Sequence, residues 1–254
     1  MMLVKANDPV ASLFGALGKY THDNNIRLSD IEKIMITGVG SAYINHPLSG
    51  ISIGRVDEFI SNGLGGIYLT NLKEGIIVSM GTGTSLVKVE NGKIEHTGGI
   101  GIGGGTIIGL SKLLLDTDDI NEIIELAKLG NLENIDLQIK DITKEALPDL
   151  PLDATASNFG KVRNYVSKED IATGIINMVL QSIGKAAVLS SLNTNVKNFI
   201  MIGNLSQLPQ CKAIFEFLGK MANGNFIIPS HSEYATVIGA ACAYIENKEY
   251  IDII

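Results

Sequence analysis

Two glycine-rich stretches, Ser79-Met-Gly-Thr-Gly-Thr-Ser85 and Gly98-Gly-Ile-Gly-Ile-Gly-Gly-Gly-Thr106, decide the fold that we predict for this chain. The first follows Gly75-Ile-Ile-Val-Ser-Met80, a short apolar run rich in β-branched residues, as expected for a buried strand. Between the two stretches, Asn91-Gly92 separates two segments of alternating character, which predicts a β-hairpin. We therefore expect the two glycine-rich turns to lie close together.

The residues after the second stretch predict a helix over Thr106–Leu115. The N–H groups at the start of that helix would point back toward the glycine-rich turns. Glycine allows backbone amides to approach a ligand closely, and the threonine and serine hydroxyls of the first stretch add further donors. This combination predicts a site for a phosphate chain.

Two other interpretations of the glycines are possible. They could serve only tight turns and close helix packing. They also fit a dinucleotide fingerprint formally, because Gly99, Gly101 and Gly104 have the required spacing. That fingerprint needs an acid at the end of the following strand, whereas the acids near Asp118 open another helix, so we reject it. Two adjacent clusters that both carry hydroxyl residues favour a ligand site.

Composition limits the class of protein. The chain has 254 residues, of which 45% are hydrophobic and 19% are charged, which is typical of one large globular domain or of two lobes that share a cleft. The net charge of −7 offers no basic surface for nucleic acid or for an anionic membrane. No long charge-free apolar run or signal pattern stands out. We therefore expect a cytoplasmic protein that binds neither nucleic acid nor membrane.

The cysteines and histidines show no metal-ligand spacing. Cys211 and Cys242 lie far apart in the sequence and predict two reduced, buried thiols. The histidines at positions 22, 46, 96 and 231 form no ligand pattern. We therefore predict no metal-ligating protein residues, so that a phosphorylated ligand would be held by amides and by a metal ion that it brings with it.

Capping and periodicity predict the remaining elements. Asp8-Pro9 opens a helix to about Tyr20, and Ser167 caps a long helix. Strands alternate with helices toward the C-terminus, which implies a parallel sheet. The other predictions are a strand end at Met1–Val4, a strand at Lys33–Gly38, helices at 56–69 and Asp118–Leu129, a strand at Ile135–Ile139 in an otherwise irregular segment 131–166, strands at 198–203 and 225–229, and helices at 206–222 and 234–246.

Polar residues occur at two boundaries between predicted elements, one at a helix start and one after a strand. Asp57 and Glu58 begin the helix that leads directly into the strand ending at Gly81. The simpler interpretation is that these carboxylates only stabilise the start of the helix, where the helix dipole favours negative charge. Because this helix leads directly into that strand, we expect its start to border the same cleft, where a carboxylate could instead act as a general base toward a hydroxyl. Asn204 follows a strand at its carboxyl end, where open α/β sheets bind ligands.

In their order and spacing, these motifs resemble those of the type II pantothenate kinases, within the superfamily of actin, sugar kinases and Hsp70. The resemblance covers nearly the whole chain. It implies an α/β, two-lobed ribonuclease H-like fold, with a partial N-terminal lobe on the substrate side (1–74) and a C-terminal lobe with the nucleotide loops and a dimer helix (75–254). The motifs are Val56-Asp-Glu-Phe59, Gly65, Met80–Ser85, Gly98–Thr106, Gly109-Leu110, Asn134–Leu137, Ala154–Gly160, Ile202-Gly203 and Ala235–Ala241.

The resemblance also implies ATP-dependent phosphorylation of the primary hydroxyl of pantothenate, the first step of coenzyme A biosynthesis. It implies Mg²⁺, a homodimer and possible regulation by coenzyme A or acyl-coenzyme A. Glu58 matches the general base. The positions that match ATP-binding residues are Gly81, Thr82, Gly83, Thr84, Gly104, Gly105, Thr106, Ile107, Ile108 and Asn204. The positions that match substrate-binding residues are Glu58, His96, Gly98 and Gly99.

The chain departs from the family pattern at two places. His96 stands where the family has an arginine that contacts pantothenate, and an imidazole cannot reproduce a bidentate guanidinium. The family's N-terminal Asp-x-Gly-Gly-Thr hairpin has no counterpart in this sequence, and we hypothesise an N-terminally shortened kinase. The alternatives are a catalytically silent homologue that binds nucleotide or coenzyme A species, or another member of the superfamily, such as a sugar kinase or a dehydratase-activating ATPase.

Overall fold

The computed structural model describes residues 2, 8–145, 151–162, 165–248 and 250–253. Its helices are α1 (Pro9–Asp23), α2 (Glu58–Thr70), α3 (Gly104–Leu115), α4 (Ile120–Leu129), α5 (Ile139–Ile142), α6 (Lys168–Ser190), α7 (Gln210–Ala222) and α8 (Ala235–Ile245). Its strands are β1 (Ile34–Ile36), β2 (Ile53–Arg55), β3 (Gly75–Met80), β4 (Thr84–Glu90), β5 (Lys93–Ile100), β6 (Leu137–Gln138), β7 (Thr155–Ser157), β8 (Asn198–Ile202), β9 (Asn225–Ile227) and β10 (Ile251–Ile253).

The larger sheet has the strand order β5-β4-β3-β8-β9. Strands β3, β8 and β9 are parallel, whereas β4 and β5 form the predicted antiparallel hairpin. Asn91 and Gly92 at its turn both have positive φ angles, of 52° and 74°, as a two-residue hairpin turn requires. Antiparallel strands followed by parallel ones give the ribonuclease H-like order, which confirms the predicted fold class.

A smaller sheet has the order β1-β2-β10. Strand β1 runs parallel to β2, and the C-terminal strand β10 runs antiparallel to β2, so that Ile253 pairs with Ile53. The C-terminus therefore returns to the sheet formed by the N-terminal strands. The predicted division into residues 1–74 and 75–254 stays a prediction.

Helices cover both faces of the larger sheet. On one face, alternate strand residues such as Ile76 and Phe199 join the largest hydrophobic cluster, which includes residues of α3, α4, α6 and α7. On the other face, Ile77 and Ile200 pack with residues of α2 and α8. This alternation follows from the two-residue repeat of a strand.

Helix α6 is the one helix in the described part of the chain that is long and apolar enough to span a membrane by length and composition. Its most apolar window is 61% buried inside the protein. A helix buried between a sheet and other helices is as apolar as a membrane span. The packing of α6 in the main hydrophobic cluster therefore accounts for its apolar residues.

The structure confirms most predicted elements and corrects several boundaries. Helix α2 begins at Glu58 instead of Val56, because the Asp57 carboxylate caps it by accepting hydrogen bonds from the amides of Phe59 (2.8 Å) and Ile60 (3.2 Å). A 3-10 turn, Asn204–Gln207, precedes α7, so the helix predicted from residue 206 begins at Gln210. The predicted strand at Met1–Val4 lies outside the described residues except for Met2.

The segment predicted to be irregular is organised around one buried carboxylate. Asp136 is fully buried and accepts hydrogen bonds from the Phe159 amide (2.8 Å) and from the side chains of Thr155 (3.2 Å), Asn158 (3.2 Å) and Asn177 (2.9 Å). These bonds join β6, β7 and α6. The predicted strand from Ile135 shortens to the two residues of β6.

A second carboxylate predicts a pH dependence of stability. Asp170 is buried and accepts from the amide of Asn131 (2.7 Å) and the side chain of Asn134 (3.1 Å). Burial by itself raises the pKa of Asp170, but hydrogen bonds from Asn131, Asn134 and Ser167 outweigh burial and hold the pKa below its ordinary value. A lowered folded-state pKa stabilises the protein above the unfolded pKa of about 3.9, and the stabilisation is lost as pH falls through the folded value.

We expect Asp170→Asn to lower the free energy of unfolding at neutral pH and to flatten its decrease between about pH 4 and pH 2. Urea unfolding at a series of pH values measures both effects. Asp118→Asn is the matched control, because this aspartate is exposed, and it should keep the wild-type slope. An unchanged slope in the Asp170 variant would contradict the assignment.

Candidate functional site

The two glycine-rich turns contact each other, as predicted. The Gly104 amide donates to the Gly81 carbonyl (2.8 Å), and the Gly105 amide donates to the Thr82 carbonyl (2.9 Å). Gly103 allows this approach, since a Cβ atom there would lie 2.6 Å from the Thr82 carbonyl oxygen and 2.8 Å from that of Gly81. The backbone of the first turn therefore rests directly on the start of α3.

The first turn, and not the helix, offers the free amides. We expected the N–H groups at the start of α3 to be available to a ligand, but those of Gly104 and Gly105 are used on the first turn, and those of Thr106 and Ile107 donate to the Gly103 carbonyl. Within the described part of the chain, the amides of Thr82 and Gly83 have no acceptor.

These turns line a cleft of about 560 Å³. The Thr84 hydroxyl is buried and donates to the Ile102 carbonyl (2.8 Å), so it braces the wall of the cleft. The residues that line this cleft, called here the glycine cleft, are Val39, Glu58, Ser79, Gly81, Thr82, Gly83, Thr84, Ser85, Gly99, Ile100 and Gly101. Backbone amides and hydroxyl groups thus surround a space of the size that a polyphosphate needs.

Glu58 is the acidic residue of the glycine cleft. It is the first residue of α2, and its carboxylate lies beside Gly38, since a Cβ added to Gly38 would be 3.8 Å from Glu58 Oε2. The carboxylate takes part in no hydrogen bond or ion pair with the described residues, whereas the neighbouring Asp57 is used as the helix cap. The Glu58 carboxylate is therefore free to accept a hydrogen bond from a ligand.

A second cavity of about 490 Å³ lies next to Glu58. Val39 and Glu58 line this cavity as well as the glycine cleft. The other residues that line the second cavity, called here the Arg55 cavity, are Gly38, Ser41, Arg55, Val56, Asp57, Phe59, Ile60, Tyr250 and Ile251. Glu58 thus lines both the glycine cleft and a second, more apolar cavity.

His96 lies near the start of α2. A bulge in β5 shifts the register, so that Leu86 pairs with Gly98 but Val87 pairs with His96. The exposed imidazole stacks on the Phe59 ring, with centroids 3.8 Å apart and planes at 9°. Because Phe59 follows Glu58 in the chain, this stack places His96 beside α2.

Two of the predicted glycines fit the geometry of this bulged strand. Gly98 has a φ angle of 143°, a conformation that favours glycine. A Cβ at Gly99 would lie 2.8 Å from the Thr84 carbonyl oxygen, so a larger residue would push β5 away from β4. Both glycines shape the cleft wall through the backbone.

The Fumble family profile matches residues 74–242, which include both glycine-rich turns and every element from β3 to α7. The chain belongs to the Fumble family, that of the type II pantothenate kinases.

Two relatives of this chain are proteins named type II pantothenate kinase. The one from Bacillus cereus (strain G9842) is 32% identical over 183 residues, which are 68% of this chain and 67% of the relative. The one from Staphylococcus aureus (strain USA300) is 30% identical over 183 residues, with 68% of each chain covered.

Solved structures show the same fold at lower identity. The activator of the 2-hydroxyisocaproyl-CoA dehydratase from Clostridium difficile, with bound ADPNP, superposes with a TM-score of 0.62 at 15% identity and covers 92% of this chain and 81% of its own. Component A of the (R)-2-hydroxyglutaryl-CoA dehydratase from Acidaminococcus fermentans gives a TM-score of 0.63 at 15% identity, with 94% and 85% covered. These likenesses establish the fold alone.

The remaining predicted residues lie at different distances from the cleft. Asn204 is exposed and follows Gly203, whose added Cβ would lie 2.6 Å from the Met80 carbonyl oxygen, so Asn204 stands near the end of β3. Ile107 is fully buried in the main hydrophobic cluster, so its side chain supports α3 from within. Ile108 is 40% exposed on the same helix.

Sequence reasoning missed Gly38 and Arg55. Gly38 has φ 84° and opens a 3-10 turn after β1, in the same way that Gly203 has φ 91° and opens a 3-10 turn after β8. This repetition of strand, glycine and 3-10 turn was a signal available in the sequence. Arg55 carried no such signal, because it ends a strand of only three residues.

The two cysteines are structural. Both are buried and free, and burial raises the pKa of the Cys211 thiol to about 12. A thiol with so high a pKa is a poor nucleophile and a poor metal ligand at neutral pH.

Proposed function

We propose that this chain phosphorylates the primary hydroxyl of pantothenate with ATP, with Glu58 as general base. One observation carries the proposal: Glu58 lines both the glycine cleft and the Arg55 cavity. A kinase must bring an acceptor hydroxyl to a nucleotide phosphate beside a group that takes the proton. The family membership and the names of the relatives support pantothenate as the acceptor.

The glycine cleft is the proposed nucleotide side. The free amides of Thr82 and Gly83 are donors for phosphate oxygens, and the hydroxyls of Ser79, Thr82 and Ser85 lie among the lining residues. In this proposal Gly104 and Gly105 act indirectly, by holding the first turn in position, and Thr106 braces the second turn, where its hydroxyl accepts from the Gly103 amide (3.2 Å). Asn204 lies near the end of β3, where the remainder of the nucleotide extends past the sheet.

A magnesium ion fits this site only as part of the nucleotide complex. In the described part of the chain no group of three histidine, cysteine, aspartate or glutamate side chains could hold a metal ion. Mg²⁺ keeps several waters and binds mainly to substrate phosphates, so the hydroxyls of the glycine cleft would serve as its protein neighbours and Glu58 stays free for the acceptor. When bound, Mg²⁺ neutralises phosphate charge.

The Arg55 cavity is the proposed acceptor side. A hydroxyl placed there next to Glu58 donates its hydrogen bond to the free carboxylate, which orients the oxygen toward the glycine cleft. As the oxygen attacks the terminal phosphorus, its proton passes to Glu58 and ADP leaves with the electrons of the broken P–O bond. Val39, like Glu58, lines both cavities.

The test is transfer of the terminal phosphate of ATP to labelled pantothenate by the purified chain in the presence of Mg²⁺. Formation of phosphopantothenate supports the proposal, and N-acetylglucosamine serves as the competing acceptor for a sugar kinase. Binding of ATP or coenzyme A without transfer to either acceptor would overturn the proposal in favour of a catalytically silent homologue.

Gly103→Ala tests the nucleotide side. A Cβ at this position would meet the carbonyl oxygens of Thr82 and Gly81 and the carbonyl carbon of Gly83 at 2.6 to 2.9 Å, so the first turn must move away from α3. We expect ATP affinity to fall about tenfold or more, measured by equilibrium dialysis, because the Thr82 and Gly83 amides lose their alignment.

Gly109→Ala is the matched control for this prediction. Gly109 lies on α3, the helix that follows Gly103, and an added Cβ would meet nothing within 4 Å. Its ATP affinity should equal that of the wild type. Equal affinity in the Gly103 variant would show that the first turn does not bind the nucleotide.

The homodimer, a dimer helix and regulation by coenzyme A or acyl-coenzyme A stay predictions of the family resemblance. Sedimentation velocity measures whether the chain is a dimer. The transfer rate with and without acetyl-coenzyme A measures the regulation.

A further inference from the structure

Resting on the proposed function, we propose that Arg55 binds the carboxylate of the acceptor and makes the enzyme selective for an acid. Pantothenate carries its carboxylate at the end opposite to its primary hydroxyl. Among the described residues that line the glycine cleft and the Arg55 cavity, Arg55 is the one with a cationic side chain. A bound anion in these cavities therefore has one counter-charge.

The guanidinium of Arg55 is incompletely used by the protein. Its Nη2 donates to the Ile44 carbonyl oxygen and to Asn45 Oδ1 (3.2 Å). Its Nε is buried without an acceptor in the described part of the chain. Its Nη1 forms no hydrogen bond with the described residues and is not buried, so Nη1 is the donor left for a ligand. No carboxylate of a described residue forms an ion pair with Arg55, although Asp57 and Glu58 line the same cavity.

An unused guanidinium donor favours a ligand with acceptor oxygens. Arginine presents its donors in a fork that matches a carboxylate, and the free Nη1 is the part of that fork that a ligand can reach. The bonds to Ile44 and Asn45 hold the head group in place before a ligand arrives. Less side-chain freedom is then lost on binding.

The spacing between Arg55 and Glu58 suits a small acid. The two residues lie three apart in the chain, so their Cα atoms are separated by at most about 11 Å. About eight bonds, or about 10 Å when extended, join the hydroxyl oxygen of pantothenate to its carboxylate carbon. Because Arg55 and Glu58 both line this cavity, an acceptor of that length could place its hydroxyl at Glu58 and its carboxylate at Arg55.

The walls of the Arg55 cavity suit the middle of the same molecule. Val56, Phe59 and Ile60 contribute apolar surface, and Tyr250 and Ile251 close the cavity from the C-terminal segment. The dimethyl group of pantothenate is apolar and gains from such contacts. His96, which stacks on Phe59 outside the lining of both cavities, leaves the carboxylate to Arg55.

The experiment compares pantothenate with pantothenyl alcohol, a neutral analogue that keeps the primary hydroxyl. We expect Arg55→Gln to raise the KM for pantothenate about 10- to 100-fold, the loss expected for a charge-assisted pair, while the KM for the alcohol changes less than about threefold. Arg55→Lys should restore part of the preference for pantothenate, because it keeps the charge but lacks the fork.

The controls separate specificity from stability. Arg27→Gln removes a surface arginine that pairs with Asp30 at 2.8 Å, and it should leave both KM values unchanged. An equal rise in both KM values in the Arg55→Gln variant would show that Arg55 only ties the segment after Ile44 to β2, and would overturn the inference. Thermal unfolding identifies a misfolded variant. If Arg55→Gln is misfolded, the preference of Arg55→Lys for pantothenate over the alcohol tests the inference instead.

Failure of the proposed function is a distinguishable result. If the wild-type chain transfers no phosphate, equilibrium dialysis with labelled pantothenate still tests the cavity. Binding of pantothenate to the wild type that weakens about tenfold or more in Arg55→Gln, while binding of pantothenyl alcohol changes less than about threefold, would support the inference. No binding of pantothenate to the wild type would overturn it.

Discussion

Glu58→Gln is expected to lower kcat for pantothenate phosphorylation by about 10²- to 10⁴-fold, the range for loss of a general base. Glutamine keeps the size of the side chain and can still accept a hydrogen bond, but it does not take a proton at neutral pH. Because Glu58 forms no hydrogen bond or ion pair with the described residues, the substitution breaks no internal contact of the fold. The loss should therefore appear in the rate and not in stability.

Three measurements make this result specific to Glu58. Steady-state kinetics give kcat, equilibrium dialysis gives ATP affinity, and thermal unfolding gives Tm. We expect ATP affinity and Tm close to those of the wild type. Glu74→Gln is the matched control, because Glu74 is exposed just before β3, and it should retain full activity. A Glu58→Gln variant with ordinary kcat would assign the base to another group.

Gly239→Val is expected to lower the free energy of unfolding by about 3 kcal/mol or more. A Cβ at Gly239 would lie 1.8 Å from the Ser61 carbonyl oxygen, and one at Gly65 would lie 1.9 Å from the Ala235 carbonyl oxygen. Helices α2 and α8 thus touch backbone to backbone through these glycines. Any side chain there forces the two helices apart.

The same substitution should also reduce activity in the molecules that remain folded, because α2 begins at Glu58 and a shift of α2 moves the carboxylate. For a domain of this size, we expect Tm to fall by about 6 °C or more, as measured by calorimetry. Gly18→Ala is the matched control, since an added Cβ on α1 meets nothing within 4 Å and alanine favours a helix. A wild-type Tm for Gly239→Val would show that the helices can separate without cost.

Local rules account for the part of the fold that could be predicted. Asp8, Asp119 and Ser167 cap helices through their side chains, and each cap lies in the few residues that a sequence pattern covers. The hairpin at Asn91-Gly92 depends in the same way on the φ angles of two neighbouring residues. The contact between the two glycine-rich turns followed from that hairpin, because β4 and β5 carry the turns on their ends.

Predictions were less accurate where several acceptors or donors could compete for the same hydrogen-bonding group. The amides at the start of α3 were expected to face a ligand, but the carbonyl groups of Gly81 and Thr82 lie closer and accept two of them. The strand predicted at Ile135–Ile139 shortens because Asp136 collects its donors from residues 19 to 41 positions away. Sequence patterns do not contain such distant partners.

The sequence by itself determined the class of fold, the hairpin that joins the glycine-rich turns, the capped helices and the family. Those features arise from neighbouring residues or from the order of motifs along the chain. Only the tertiary structure decided that Thr82 and Gly83 keep free amides, that Glu58 lines two cavities and that Arg55 lines one of them. The physical reason is that hydrogen-bond satisfaction and cavity shape depend on which distant segments meet, and those contacts form only when the sheets and helices pack.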